Sequence, residues 1–228
     1  MKNAKETLNN LQTINDLKTI REEWERERLA CRECGDEQGA NYAWIVRSIS
    51  EVHVMYREMY DLLTQGKYYE AWCHAEQVEI LANNIKENGG ASYTYVMSIA
   101  RQIRLLQSIY PYRFFFSTVI DIKEEECSIC GTKRSFETWC GHLTGKVYNG
   151  ELCCNVVTKC EIKSVDLVMN PVHKYAVAFL SNQDGEQRDQ YDYLFVKGLM
   201  KYWKSPYQWW TFRMEEENKK IVFLMQKQ

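Results

Sequence analysis

Apolar residues recur at helical spacing through the first half of the chain. In the segment 41–65 their spacing alternates between four and three residues, and the same alternation returns in 68–90 and 92–110. This spacing keeps one face of a helix apolar over several turns. The segment 5–30 carries a narrower apolar stripe with a highly charged opposite side, and the run 31–41 breaks its pattern. We therefore expect four helices, and the short connections between them predict antiparallel packing.

After Pro111 the pattern changes from helical to extended. The segments 113–122 and 160–171 are rich in β-branched and aromatic residues, which predicts strands. Strict alternation would divide the side chains of the second strand between two faces. One face would carry Ile162, Ser164 and Asp166, and the other Lys163, Val165 and Leu167.

Further signals complete the second half. Asn149 and Gly150 stand between apolar stretches and predict a hairpin, because both residues tolerate positive φ. The segment 189–203 has a helical pattern, and 209–226 suggests a closing hairpin. The expected fold class is α+β. An N-terminal antiparallel helical block for interactions (1–111) would precede a small zinc-stapled β-rich domain with one helix (112–228).

Composition indicates an ordinary globular chain. Hydrophobic residues make up 45% of the 228 positions, and 29 basic against 31 acidic side chains leave a net charge of -2. The basic excess typical of duplex-DNA-binding domains is missing. The sequence contains neither a run of about eighteen apolar residues nor the apolar core of a signal peptide. We expect a cytoplasmic protein without membrane contact, whose nine cysteines are reduced or metal-bound.

Three cysteines and a histidine lie close together in the run 126–145. Cys127 and Cys130 form a Cys-x2-Cys pair, and Cys140 and His142 follow. Three thiolates and one imidazole complete a tetrahedral zinc shell with no position left for water, which is the arrangement of structural sites. We therefore predict one structural zinc. The alternative is a set of buried, reduced cysteines.

Later cysteines leave the fourth ligand open. Cys153, Cys154 and Cys160 lie in or beside predicted strands, where a free cysteine packs as a small apolar residue. Any of them could nevertheless replace His142.

A second Cys-x2-Cys pair is formed by Cys31 and Cys34. It lacks an obvious partner pair, since Cys73 and His74 would complete a site only if the helices brought them together. We expect Cys31 and Cys34 to be free thiols.

The C-terminal stretch interleaves aromatic and basic residues. Aromatic rings that stack on bases, beside cations that follow a phosphate backbone, can form a single-strand nucleic-acid platform. The same aromatics also serve as core residues, which we rank first, or as protein-interface anchors, which we rank second. The residues of the nucleic-acid hypothesis are Lys201, Trp203, Lys204, Trp209, Trp210 and Arg213.

Recognisable catalytic motifs are missing from the sequence. It contains no phosphate-binding Gly-rich loop and no His-Glu-x-x-His. With a closed zinc shell as the main chemical feature, we predict a non-enzymatic zinc-binding interaction or assembly protein within a larger complex. Protein partners are expected and an oligomer is compatible with this role. A nucleic-acid-binding or processing factor is the alternative.

Two segments resemble known families. Residues 127–175, with "CGHLTGKVYNGELCC" and "EIKSVDLVMNPVHKYA", resemble zinc-knuckle phage or prophage proteins related to prohead proteases. The resemblance implies a phage, mobile-element or antiviral-defence origin. It places the protease's nucleophilic serine on Asp166, with Ser164 two residues away, so it implies an inactive hydrolase-like copy. In addition, "LLTQGKYYEAWCHAE" resembles one tetratricopeptide helix pair near 60–80.

Overall fold

The computed structural model describes residues 14–90, 93, 95–179 and 189–202 of the chain. The helices come first, and two small antiparallel sheets with one helix follow, which confirms the α+β class. The elements in these residues are, in chain order, α1 (Ile14–Glu33), α2 (Glu37–Thr64), α3 (Tyr68–Gly89), α4 (Val96–Ser108), β1 (Phe115–Cys127), β2 (Val147–Tyr148), β3 (Glu151–Leu152), β4 (Asn155–Val168) and α5 (Leu194–Tyr202).

The first two helices are joined by a tighter turn than the sequence pattern predicted. α1 continues to Glu33 and α2 begins at Glu37, so only three residues separate them. Asp36 caps the second helix, because its carboxylate accepts the N–H of Gly39 at 2.9 Å. A cap of this kind satisfies one of the free N–H groups at a helix start. The run that was expected to break the pattern therefore restarts a helix within one turn.

The main core lies between α2, α3 and α4. Ile49, Val78 and Ile103 are fully buried in it, and each lies in one of the three segments whose spacing predicted a helix with one apolar face. Phe115 at the start of β1 and Val196 of α5 are buried in the same core. The base of the β region is thus packed directly on the helices. The division of the chain near residue 111 stays a prediction.

The strands β1 and β4 form a two-stranded antiparallel structure, which we call the ribbon. At its base Phe115 lies opposite Val168, and at its tip Cys127 lies opposite Asn155. A short extended segment adds to the base, where Val177 bridges to Phe115. Beyond that point most side chains of the ribbon are exposed.

A β-bulge at Lys163 decides which side chains share a face of β4. Ser164 lies opposite Val119 and Ile162 lies opposite Ile120, so Lys163 is an extra residue between consecutive pairs. An extra residue shifts the alternation by one position. The predicted division of faces is therefore wrong. One face carries Ile162, Val165 and Leu167, and the other carries Lys163, Ser164 and Asp166.

The hairpin formed by β2 and β3 attaches the second half to the helices. Asn149 and Gly150 have φ values of 47° and 72°, which confirms the predicted Asn-Gly turn. The N–H of Gly150 donates to Asn41 Oδ1 at 2.7 Å, and its carbonyl accepts from Arg28 at 3.0 Å. A Cβ atom at Gly150 would lie 3.1 Å from the carbonyl oxygen of Ala40. The turn therefore requires glycine both for its conformation and for its close approach to α2.

The loop after β4 is fixed to α3 by hydrogen bonds from side chains to its backbone. The carboxylate of Glu76, only 5% exposed, accepts the N–H groups of Lys174 at 2.6 Å and Tyr175 at 2.8 Å. Trp72 and Tyr69 donate to the carbonyls of the same two loop residues, at 2.6 and 2.7 Å. Four side-chain hydrogen bonds thus hold Lys174 and Tyr175 against α3.

Some predictions fall outside the described residues. These are the first part of the helix at 5–30 and the closing hairpin at 209–226. The helix expected at 189–203 is shorter, since α5 spans Leu194–Tyr202. Among the helices that are described, none is both long and apolar enough to cross a membrane.

We predict that Glu76→Ala lowers the free energy of unfolding by about 2–4 kcal/mol, because two N–H groups lose a charged acceptor in a buried position. Urea unfolding followed by circular dichroism would measure this. Glu70→Ala is the matched control, since Glu70 lies on the same helix with 57% of its side chain exposed, and we expect a change below about 0.5 kcal/mol. Equal effects of the two substitutions would show that the buried hydrogen bonds do not stabilise the loop.

His53 makes the stability of the helical block depend on pH. Burial, and secondarily the positive charge of Arg57, lowers the pKa of His53 from 6.5 to about 4. The unfolded chain therefore binds more protons between these two values, and stability falls as pH falls through this window. We expect a loss of about 2 kcal/mol between pH 8 and pH 5 from this residue. His53→Gln should remove that part of the pH dependence in chemical denaturation, whereas His173→Gln, at an exposed position, should leave it in place.

Candidate metal centre

Four ligand-type side chains come together at the tip of the ribbon. Cys127 ends β1, Cys130 lies in the turn that follows, and Cys140 and His142 lie in the loop that leads to β2. One ligand atom from each residue lies within 4.8 Å of all the others. The four predicted residues therefore form one group that could hold a metal ion. Within the described ranges it is the only such group of three or more His, Cys, Asp or Glu side chains.

The distance between two of the four side chains fits a tetrahedral metal. Cys127 Sγ lies 3.7 Å from Nδ1 of His142. Bond lengths of about 2.3 Å to sulfur and about 2.0–2.1 Å to nitrogen would place two tetrahedral ligands about 3.6 Å apart. Cys127 is buried, Cys140 and His142 are partly buried, and Cys130 is exposed. The group thus lies at the surface, with one ligand anchored inside.

The turn from Cys127 to Cys130 is closed by backbone hydrogen bonds. The N–H of Gly131 donates to the carbonyl of Cys127 at 2.8 Å, and the N–H of Cys127 donates to the carbonyl of Thr132 at 2.9 Å. Gly131 has a φ of 68°, in the left-handed region that favours glycine. This residue lets the chain reverse immediately after the second cysteine.

Hydrogen-bond donors around the turn favour the thiolate forms. Burial raises the pKa of the Cys127 thiol, but the N–H groups of Cys130 and Ile129 together with Arg134 outweigh it and lower the pKa to about 5. The Thr132 hydroxyl is the main cause that lowers the pKa of Cys130. Thiolate is the form that binds metals. The surroundings therefore favour the ligand state of both cysteines.

Arg134 lies beside the group, and sequence reasoning missed it. Its guanidinium donates to the carbonyl of His142 at 2.8 Å, to Thr144 Oγ1 at 2.7 Å and to Cys153 Sγ at 3.3 Å. A guanidinium in this position offsets the negative charge of nearby thiolates and orients the loop that carries His142. Since Arg134 stands in a polar run without a motif, no sequence signal distinguished it.

Among the alternatives for the fourth ligand, the structure places His142 in the group and none of the later cysteines. Cys153 is fully buried with its Sγ 3.8 Å from Cys127 Sγ, whereas Cys154 and Cys160 are exposed. The expectation of small buried residues thus holds for Cys153 and is wrong for the other two. Cys153 contacts the group from outside, next to Arg134.

The second cysteine pair forms no comparable group. Cys31 lies in the last turn of α1, and Cys34 Sγ lies 3.3 Å from the carbonyl oxygen of Cys31. Both are free cysteines, and neither joins a candidate metal group in the part of the chain that is described.

The remaining predicted residues lie elsewhere. On the ribbon, Asp166 is opposite Ser117 and Ser164 is opposite Val119, while His142 belongs to the metal group. The inactive-hydrolase hypothesis stays a prediction. Of the nucleic-acid residues, Lys201 is exposed on α5. The residues Trp203, Lys204, Trp209, Trp210 and Arg213 lie outside the described ranges.

Comparisons with known proteins add no assignment, since no family model, no curated protein and no solved structure matches the chain.

We predict that Cys127→Ser abolishes stoichiometric metal binding, because it removes the buried ligand of the group. Cys153→Ser should keep one metal per chain and weaken affinity by about 10- to 100-fold, as expected for a residue that contacts the ligands from outside. Native mass spectrometry and competition with a chelator would measure both. Cys160→Ser is the control, since this exposed thiol is outside the group. Complete metal loss in the Cys153 variant would contradict this prediction and show that Cys153 is itself a ligand.

Proposed function

We propose that this chain is a non-enzymatic, zinc-binding interaction or assembly protein. The observation that carries the proposal is the composition of the group at the ribbon tip. Three cysteines and one histidine lie together there, and as ligands they would fill all four positions of a tetrahedral zinc. Such a shell leaves no position for a water or a substrate, so the metal would hold the loops in place.

The loops that the metal would hold present exposed apolar side chains. Phe136 is fully exposed, Trp139 is 61% exposed and Leu143 is 52% exposed. We call these three residues the tip patch. Large aromatic side chains that are exposed on a fixed loop are typical anchors of protein–protein interfaces. Arg134 also supports the patch, since its guanidinium lies 5.1 Å from the centre of the Trp139 ring.

The loop of the tip patch has its own short-range order. The side chains of Ser135 and Thr138 approach to 2.6 Å, and the N–H of Thr138 donates to Ser135 Oγ at 3.1 Å. These bonds shape the turn that carries Phe136. A preformed loop loses less conformational entropy on binding than a flexible one, which favours a role in recognition. The partner would be another protein in a larger complex, and the resemblance to phage proteins makes a phage, mobile-element or defence setting part of this proposal.

The test compares the tip patch with an exposed apolar residue elsewhere. The double variant Phe136→Ala/Trp139→Ala should lose at least about 30-fold in affinity for a stoichiometric partner, because interface anchors contribute about 2 kcal/mol or more. Leu105→Ala, which removes a 65% exposed residue of α4, should bind as the wild type does. The partner would be isolated from the native host with the full-length chain, and affinities would be measured by calorimetry.

Metal content serves as the internal control. Both variants should keep one zinc per chain, so that a loss of binding cannot come from a disrupted metal site. Unchanged affinity of the double variant would refute the tip patch as the binding surface. Turnover of a substrate that depends on zinc would refute the non-enzymatic role.

A further inference from the structure

One face of the ribbon is apolar along four consecutive cross-strand pairs, and it is exposed to solvent. Phe116 lies opposite Leu167, and the next three pairs on the same face continue toward the tip. No charged residue interrupts them. The exposed fractions of the large side chains on this face range from 41% to 69%. We call this surface the ribbon face; it consists of Phe116, Thr118, Ile120, Ile122, Cys160, Ile162, Val165 and Leu167.

The opposite side of the ribbon differs from the ribbon face, because it carries a network of ion pairs. There Lys123 contacts Asp121 and Glu161 at 2.5 and 3.6 Å, and Lys163 contacts the same two carboxylates at 3.4 and 2.9 Å. A two-stranded ribbon with one ion-paired face and one apolar face has the pattern of a sheet that is covered on one side. A large contiguous apolar patch on a monomer is often a contact surface.

We propose that the ribbon face is covered by the C-terminal segment of the same chain, through residues 221–225. This run has the sequence Ile-Val-Phe-Leu-Met and is flanked by lysines at 219, 220 and 227. Like the ribbon face, this run is apolar and contains no charged residue. Residues 203–228 lie outside the described ranges.

The C-terminal segment follows directly after α5, and it is long enough to reach the ribbon face. The described chain ends with α5, whose Val196 is buried in the same core as Phe115 at the base of the ribbon. Eighteen residues, 203–220, separate α5 from the apolar run. They can span up to about 60 Å when extended, whereas a strand of thirteen residues such as β1 is about 43 Å long. Every position on the ribbon face is therefore within reach.

The size of the ribbon face favours a tethered occupant over a second copy of the chain. With about half of each of six large side chains exposed, the face offers on the order of 500 Å², less than the roughly 800 Å² per partner of a standard stable interface. A segment of the same chain avoids the cost of bringing two molecules together, because its effective concentration is in the millimolar range. A contact of this size is therefore sufficient for the tail and weak for a free partner.

Reciprocal substitutions in the full chain test the proposal by hydrogen–deuterium exchange with mass spectrometry. Phe223→Asp should raise exchange rates in β4 at least ten-fold, and Val165→Asp should do the same for peptides that cover 221–225. Ser164→Asp is the matched control, since Ser164 neighbours Val165 but lies on the opposite face, and it should change neither. Phe223 lies outside the described residues, so its substitution removes none of the contacts described within the ribbon.

Several results would overturn the proposal. Exchange of 221–225 in the wild type at the rate of an unstructured peptide would show that this run does not dock. A dimer in light scattering that Val165→Asp converts to a monomer, with exchange at 221–225 unchanged, would assign the ribbon face to a second copy. An effect of Ser164→Asp equal to that of Val165→Asp would remove the link to the apolar face. Reciprocal loss of protection in a monomer would establish the contact.

Discussion

A two-stranded ribbon cannot hold its own shape in water, and most of the second half of this protein follows from that constraint. Isolated strand pairs are marginal because they bury too little apolar surface. Here the base of the ribbon is held by Phe115 in the helical core, and the tip ends at Cys127, the buried member of the metal group. Between these anchors the turn at Gly150 attaches the neighbouring hairpin to α1 and α2. The contacts at its two ends, rather than pairing within a larger sheet, therefore hold the ribbon in place.

The parts of the fold that depend on local chemistry could be predicted from the sequence. Helical periodicity identified the buried faces of α2, α3 and α4, and the Asn-Gly pair identified the hairpin. The spacing of Cys127, Cys130, Cys140 and His142 identified the group that could hold a metal ion. Each of these signals is contained within a few turns of chain. The start of α2 was missed although Asp36 is an ordinary N-cap residue, because the run 31–41 interrupts the apolar pattern.

What could not be predicted depends on partners that are distant in the chain. The bulge at Lys163 arises from the pairing of β4 with β1, and a single extra residue exchanges the two faces of the strand. Without it, Ile162 would lie on the charged side. Arg134 and Cys153 become relevant only when the loop after β1 folds against the start of β4. Sequence spacing contains no information on either contact, since each is set by tertiary packing.

The two halves differ in what a metal would contribute to them. The helical block has a continuous core of fully buried side chains such as Ile49 and Val78, which needs no metal to exclude water. At the ribbon tip Cys127 and Cys153 are buried, but the loop with Phe136 and Trp139 is exposed and has almost no core of its own. A metal would therefore supply order where apolar burial does not. The loop with Phe136 and Trp139 would then lose its shape on metal removal while the helices stay folded, so the effect of the metal would be local to the tip.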